Sequence, residues 1–353
     1  YQTATFAHPS VGNSTGYDYS RSQNPTREQL EKVVASLENG HDAVAFSSGM
    51  AAVNALMELF SPGDHILASD DLYGGTIRIF NNINVKNGLE IEYINTSEAD
   101  LVVSHIKNNT KAIFVETPTN PMMNVTDLYE IASITKKHNL LLIVDNTFLS
   151  PYFQNPITLG ADIVLHSGTK FLGGHNDTLA GFLVLANASL TEKTRYILKT
   201  TGAGLAPFDS WLLLRGIKTL PLRMEYQQKN ALIIAQWLEK HKKVKTVYYI
   251  GLPSHPGYEI NRKQATGSGS MISFHVDMEQ TAVNILNKVK LIQYAESLGG
   301  VESLITYPML QTHADIPEGE REAKGINRTL LRLSVGIEHI DDLLQDLEQS
   351  LID

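Results

Sequence analysis

The chain contains no cysteine. Disulfide frameworks, thiolate nucleophiles and thiolate metal sites are therefore excluded. Long hydrophobic runs are missing too, since no stretch approaches the roughly 20 apolar residues of a membrane-spanning helix. Positive charge is in deficit, and the net charge of −9 argues against nucleic acid or an anionic membrane as partner. There is no internal repeat, low-complexity tract or charge block, and the twelve histidines lack metal-ligand spacing, so no metal is expected. No secretory signal opens the sequence, and together these absences predict a cytoplasmic protein. Tyr1-Gln-Thr-Ala-Thr-Phe begins in mid-pattern, which predicts residues upstream of it.

What is present is an ordinary globular composition, 42% hydrophobic and 19% charged, over 353 residues. That length suffices for a large core and two domains. Residues 1–20 are polar and read as an extended arm. A helix follows, with Thr26 and Gln29 at capping-box spacing and Leu30, Val33, Val34 and Leu37 on one face. Apolar runs then alternate with helical patterns such as Val125 to His138. The runs begin at Ala43, His65, Ile91, Lys111, Leu140, Ile163 and Phe182, and predict a doubly wound, mostly parallel sheet of seven strands. The texture changes near residue 228. A helix from Ala231 to Lys240, strands at Val244–Ile250 and Met271–Val276, and a last amphipathic helix through Leu343, Leu347 and Leu351 predict a smaller α+β domain. The expected division is an arm over 1–20, a main domain over 21–228 and a C-terminal domain over 229–353.

The stretch from Asp145 to Lys170 draws most attention. Five aliphatic residues, Leu140 to Val144, lead into Asp145, and the short run Asp162-Ile-Val-Leu-His leads into Ser167, Thr169 and Lys170. Ligands of open α/β sheets sit outside the carboxyl ends of strands, so a carboxylate and an amine would face one crevice. A lysine can form a Schiff base with an aldehyde cofactor while a carboxylate keeps a pyridine nitrogen protonated. On these two residues alone, a loop-capping aspartate and a solvated surface lysine are the favoured explanation, by about two to one.

Other segments add to it. Ser47-Ser-Gly-Met-Ala-Ala joins a strand to a helix, where backbone N–H groups make an anion site or merely an ordinary cap. Arg332 lies within the apolar strand Leu330-Leu-Arg-Leu-Ser, and a buried arginine needs an anion, either a substrate carboxylate or an internal acid. Tyr19 and Arg21 share one side of an extended segment. Gly267-Ser-Gly-Ser reads as a turn into a strand, and Asp315 to Glu322 as a solvated acidic loop.

Val144-Asp-Asn-Thr-Phe together with Ser167-Gly-Thr-Lys-Phe-Leu-Gly-Gly-His resembles the pyridoxal-phosphate (PLP) enzymes of cysteine and methionine metabolism. That family includes cystathionine γ-synthases, cystathionine γ- and β-lyases, O-acylhomoserine thiolyases and methionine γ-lyase. The resemblance implies the fold type I, aspartate-aminotransferase-like PLP-dependent transferase architecture. It implies Lys170 as Schiff-base lysine, Asp145 at the pyridine nitrogen, and Tyr73 stacked on the ring as proton partner. The phosphate would be held by Gly49, Met50, Ser167 and Thr169, with Tyr19 and Arg21 arriving from a neighbouring subunit of a dimer, itself paired into a tetramer. Asn120, Ser297 and Arg332 would bind the substrate, and Glu296 would attract a distal ammonium.

Two positions depart from family habit. Gly168 stands where alanine is usual, and Gly75 where methionine γ-lyases typically carry cysteine, which lowers that activity in the ranking. The wording around Ala206-Pro-Phe-Asp-Ser-Trp and Gln311-Thr-His-Ala is most similar to bacterial cystathionine γ-synthase/O-acetylhomoserine thiolyase sequences. The implied reaction is γ-replacement on an O-acylhomoserine by cysteine or sulfide, with a cystathionine lyase as the alternative.

Overall fold

Helix and strand propensities resolve into two sheets. The computed structural model describes residues 1–314 and 316–352. The first sheet comprises β1 (Asp42–Phe46), β2 (His65–Ser69), β3 (Glu90–Ile94), β4 (Thr110–Glu116), β5 (Leu141–Asp145), β6 (Ile163–Ser167) and β7 (Gly181–Leu185). Its order is β1-β7-β6-β5-β4-β2-β3. β7 is antiparallel to both of its neighbours, and the remaining pairs are parallel. Strands such as β2 and β7 are buried at every position, as expected where helices cover both faces.

Alternation along each strand sorts the two faces. Ala43 and Ala45 face the same core layer as Leu30 and Val34 of the helix Pro25–Leu37, and farther along the sheet that layer includes Leu128 and Ile131 of the helix Leu128–His138. Val44 and Phe46 pack instead with Ala52, Val53 and Leu56 of the helix Gly49–Met57. The second sheet has the order β10-β11-β12-β9-β8, built from β8 (Val244–Tyr248), β9 (Met271–Val276), β10 (Gln293–Tyr294), β11 (Leu304–Thr306) and β12 (Leu330–Ser334). Ile234 and Leu238 of the helix Leu220–Leu238, and Leu343 and Leu347 of the helix Ile340–Leu351, share its core.

Several local expectations are corrected. The first helix begins at Pro25, not at a Thr26 capping box. Asn24 caps it, its Oδ1 accepting from the N–H groups of Thr26 and Arg27 at 2.9 and 3.4 Å. An asparagine cap followed by proline at the first helical position is worth about 1 kcal/mol and overrides a threonine two residues later. The long helix begins at Leu220, eleven residues ahead of the expected Ala231, because Pro221 falls in its first turn, where no N–H is needed. It runs unbroken across residue 228.

Residues 1–20 double back instead of extending. Thr5 bridges Tyr19, Phe6 N–H donates to Asp18 O at 3.1 Å, and the Tyr17 hydroxyl donates to Glu28 at 2.6 Å. The polar arm is thus anchored on its own chain by hydrogen bonds, which an apolar-stripe criterion does not detect. Asp315 lies outside the described residues, but Glu318–Ala323, expected as loop, forms a short helix with no buried residue.

Candidate active site

Because β1, β2, β4, β5 and β6 run the same way, their carboxyl ends deliver residues to one edge. Ser47 to Gly49 follow β1, Asp71 and Tyr73 follow β2, and Glu116, Asp145 and Ser167 end β4, β5 and β6. The second sheet supplies Arg332 from β12, and the segment before β11 supplies Glu296 and Ser297. A cavity of about 350 Å³ opens there, within the range of cofactor sites. Gly49, Met50, Tyr73, Asn120, Asp145, Ser167, Thr169, Lys170, Glu296, Ser297 and Arg332 all line it. Tyr19 and Arg21 do not.

Lys170 Nζ donates to Ser297 Oγ at 3.0 Å and forms no ion pair among the described residues. Burial, reinforced by the charge of Arg332 and opposed by Glu296, pulls the ammonium down to about 8. Ser297 itself sits at φ 126°, a backbone conformation costing about 1–3 kcal/mol for an L-residue. Its carbonyl accepts from Arg332 Nη2 at 3.2 Å, which ties the two residues together.

Asp145 Oδ1 accepts from the Thr147 N–H at 3.0 Å and the Thr147 hydroxyl at 2.6 Å. Thr147 Oγ1 in turn accepts from the Ser167 N–H at 2.9 Å, locking the ends of β5 and β6 together. Burial raises the Asp145 carboxyl, while the Thr147 bonds and the nearby His166 oppose that rise.

Arg332 is 1% exposed. Nη1 donates to Asn120 Oδ1 at 2.8 Å and Nη2 to Thr306 Oγ1 at 3.2 Å, while Nε is buried without a partner. No carboxylate lies within ion-pair distance among the described residues, so a direct internal salt bridge is absent there, although the charges of Glu116 and Glu296 act on the guanidinium from farther away. Burial lowers the guanidinium to about 10. A buried cation without an ion-pair partner among the described residues, set in a cavity wall, has the chemistry to receive an anion.

At the opposite wall, Ser48 caps the helix Gly49–Met57, its Oγ accepting from the Ala51 N–H at 3.1 Å. The N–H groups of Gly49 and Met50 precede the first helical hydrogen bond, Ala52 N–H to Ser48 O at 3.1 Å, and have no partner among the described residues. The Ser167 hydroxyl, also without a partner among the described residues, lies against Gly49, where an added Cβ would fall 3.1 Å from it. The Thr169 hydroxyl is engaged with Ala180, accepting from its N–H at 3.1 Å and donating to its O at 3.3 Å. These groups fit a phosphate beside an amine.

Tyr73 is 40% exposed, with its ring open to the cavity. Gly75 makes room for it, since a Cβ there would lie 2.4 Å from the ring. Gly168 has a similar steric reason: a Cβ would come within 2.5 Å of the Phe182 ring.

Tyr19 and Arg21 stay together but lie elsewhere. The Arg21 guanidinium sits 5.7 Å from the Tyr19 ring centroid and donates to Lys199 O. Their segment is a turn and not an extended run, closed by the Ser22 and Gln23 N–H groups on Tyr19 O at 3.0 and 2.9 Å.

Reading the sequence missed Thr147, Thr312 and Glu116 as cavity residues. Thr147 had a signal, lying two residues after Asp145 in the same quoted motif. Glu116 had a weaker one, a carboxylate closing the apolar run Ala112 to Val115.

The model of the Cys/Met metabolism PLP-dependent enzyme family matches residues 1–352. The chain is 51% identical over 351 residues to a cystathionine γ-lyase of Bacillus subtilis, covering 99% of this chain and 93% of that protein. It is 50% identical over 351 residues to a cystathionine γ-synthase/O-acetylhomoserine (thiol)-lyase of the same organism, covering 99% and 90%. A solved structure of cystathionine γ-lyase from Lactobacillus plantarum, complexed with L-serine, superposes with a TM-score of 0.96 at 44% identity, over 99% of this chain and 92% of that one. The family match, the fold and the fitted cavity agree, and this chain belongs to the PLP-dependent enzymes of Cys/Met metabolism.

Proposed function

We propose that this enzyme catalyses γ-replacement on an O-acylhomoserine, with cysteine or sulfide as the incoming thiol. The observation behind this reading is that Lys170 shares one cavity with a buried Arg332 that makes no ion pair among the described residues. Arg332 binds the substrate α-carboxylate through its fork, and Asn120 Oδ1 fixes the fork's orientation. The Gly49 and Met50 N–H groups and the Ser167 hydroxyl would hold the cofactor phosphate, joined by the Thr169 hydroxyl once it turns from Ala180 O. Asp145 holds the ring nitrogen, and Tyr73 covers the ring face. When bound, PLP supplies an aldehyde for the substrate amine and a conjugated sink for electrons at Cα. Lys170 Nζ takes the Cα proton, and Ser297 Oγ keeps that amine aimed. Arg21 and Tyr19 complete the phosphate site of a second copy, in a dimer that pairs into a tetramer.

A second reading, C–S bond elimination from cystathionine, is favoured by the similarity to a cystathionine γ-lyase. A substrate panel separates the two: O-acetyl- and O-succinylhomoserine with cysteine or sulfide, against cystathionine alone. Turnover confined to cystathionine would overturn the replacement reading.

Glu296 is exposed at the mouth, yet its charge reaches both Lys170 and Arg332. If it attracts a distal ammonium, Glu296→Ala should lower kcat/KM about fivefold for cysteine or cystathionine, the scale of an exposed ion pair. Reaction with sulfide, which has no ammonium, should change little. Equal losses in all would mean that Glu296 shapes the mouth without reading charge.

The lowered Lys170 gives a pH prediction for the cofactor-free protein. A neutral amine is the nucleophile, so acylation of Lys170 should rise about tenfold per pH unit up to about 8 and then level off. Peptide mass spectrometry after timed labelling reads this against the exposed lysines, whose rates should keep climbing. A Lys170 rate that climbs with theirs removes the claim.

A further inference from the structure

Glu116, the last residue of β4, has no task in this reading. It is 5% exposed and stands opposite Asp145 in the register of two adjacent parallel strands. Positions 112, 114 and 116 share the face of 143 and 145, so both carboxylates look into the cavity. Two neighbouring carboxylates, Glu116 buried and Asp145 half-buried in the cavity wall, cannot both be ionised cheaply, and one proton stays between them.

Hydrogen bonding decides which residue keeps it. Asp145 accepts two donors from Thr147, and both favour its anion. Glu116 accepts one, the Tyr73 N–H, at 2.9 Å on Oε2. Asp71, buried at the end of the segment after β2, adds a further repulsive charge, while Arg332 is the cation acting on Glu116. Arg332 bonds to Asn120, Ser297 and Thr306 and makes no hydrogen bond or ion pair with Glu116 among the described residues. Burial, then the charge of Asp145, raises the Glu116 carboxyl well above the usual range, which agrees with this assignment.

The bond to Tyr73 matters because it holds that residue's backbone N–H, while the Tyr73 carbonyl is held separately by the Thr76 and Ile77 N–H groups at 2.9 and 3.2 Å. Tyr73 begins the helix Gly74–Ile79 without a side-chain cap. We infer that Glu116 is a positioning residue, a neutral acid that seats the Tyr73 backbone at the cavity wall and leaves the negative charge on Asp145. The inference rests on the reading in which Asp145 meets the ring nitrogen and Tyr73 covers the ring.

The test compares Glu116→Gln, Glu116→Ala and Tyr73→Ala holoenzymes by cofactor dissociation rate and by the pH midpoint of the visible absorbance. Glutamine keeps a neutral acceptor for the Tyr73 N–H, so both readouts should stay within about twofold or a few tenths of a pH unit of wild type. Alanine should release the cofactor at least about tenfold faster, and adding it to Tyr73→Ala should cost little more, since both changes act through one residue. A Gln variant that shifts the midpoint as far as Ala overturns the neutral-acid assignment. Full additivity with Tyr73→Ala overturns the positioning role. If the Ala variant fails to fold, the Gln comparison still decides the charge. Asp145→Asn tests the underlying reading separately: an unchanged midpoint there would remove that reading, whatever Glu116 does.

Discussion

Lys170→Ala should abolish both turnover and the covalent attachment of the cofactor. Wild-type protein should be yellow, and borohydride should fix the cofactor to a single peptide containing Lys170. The substituted protein should lose that visible band and yield no labelled peptide. Turnover should fall by roughly 10²–10⁴-fold or more, because one side chain supplies both the attachment point and the proton acceptor at Cα. The geometry makes no substitute available. Among the described residues Lys170 is the lysine that lines the cavity, and Ser297 Oγ, its hydrogen-bond partner, is an unactivated hydroxyl. Retention of both the band and turnover would remove the central claim. A variant that keeps the cofactor without covalent label but loses turnover would still agree with it, because Asp145 and the phosphate cradle remain.

The site was legible wherever chemistry and strand position coincide in the sequence. Asp145 and Ser167 end apolar runs, and strand ends in such sheets meet at one edge. Arg332 stood out because it interrupts an apolar strand, and it proved to be a buried cation without an ion-pair partner among the described residues. Glu116 also ends an apolar run, but its proline-rich continuation reads as turn chemistry. Only the register of β4 against β5 reveals the neighbouring carboxylate. Register is a long-range property that local pattern does not encode.

The missed elements have similar causes. β10 and β11 span two and three residues, too short for any periodicity to register. The acidic composition of Glu318–Ala323 is compatible with helix and with solvated loop alike, because none of its residues is buried to supply a face. The arm was misread for the opposite reason. It lacks an apolar stripe, yet Tyr17, Phe6 and the amino terminus find polar partners on the first helix or within the arm itself.

Mixing two inactive variants should restore activity if each site is built from two chains. Within one chain Arg21 is held by Lys199 O, and it does not line the cavity that contains Lys170. A guanidinium has the chemistry of a phosphate ligand, so the proposed dimer brings it to the neighbour's cradle of Gly49, Met50, Ser167 and Thr169. Arg21→Ala and Lys170→Ala should each be nearly inactive alone. In a mixed dimer, one site receives Lys170 from the Arg21→Ala chain and Arg21 from the Lys170→Ala chain, and the other site receives neither. Random pairing makes about half of the dimers mixed, each with one intact site of two. Unfolding and refolding the variants together should therefore recover up to about a quarter of wild-type activity. Wild type refolded in parallel sets the scale. If the mixture stays as inactive as its components while wild type recovers, Arg21 serves its own chain and the shared-site reading is wrong.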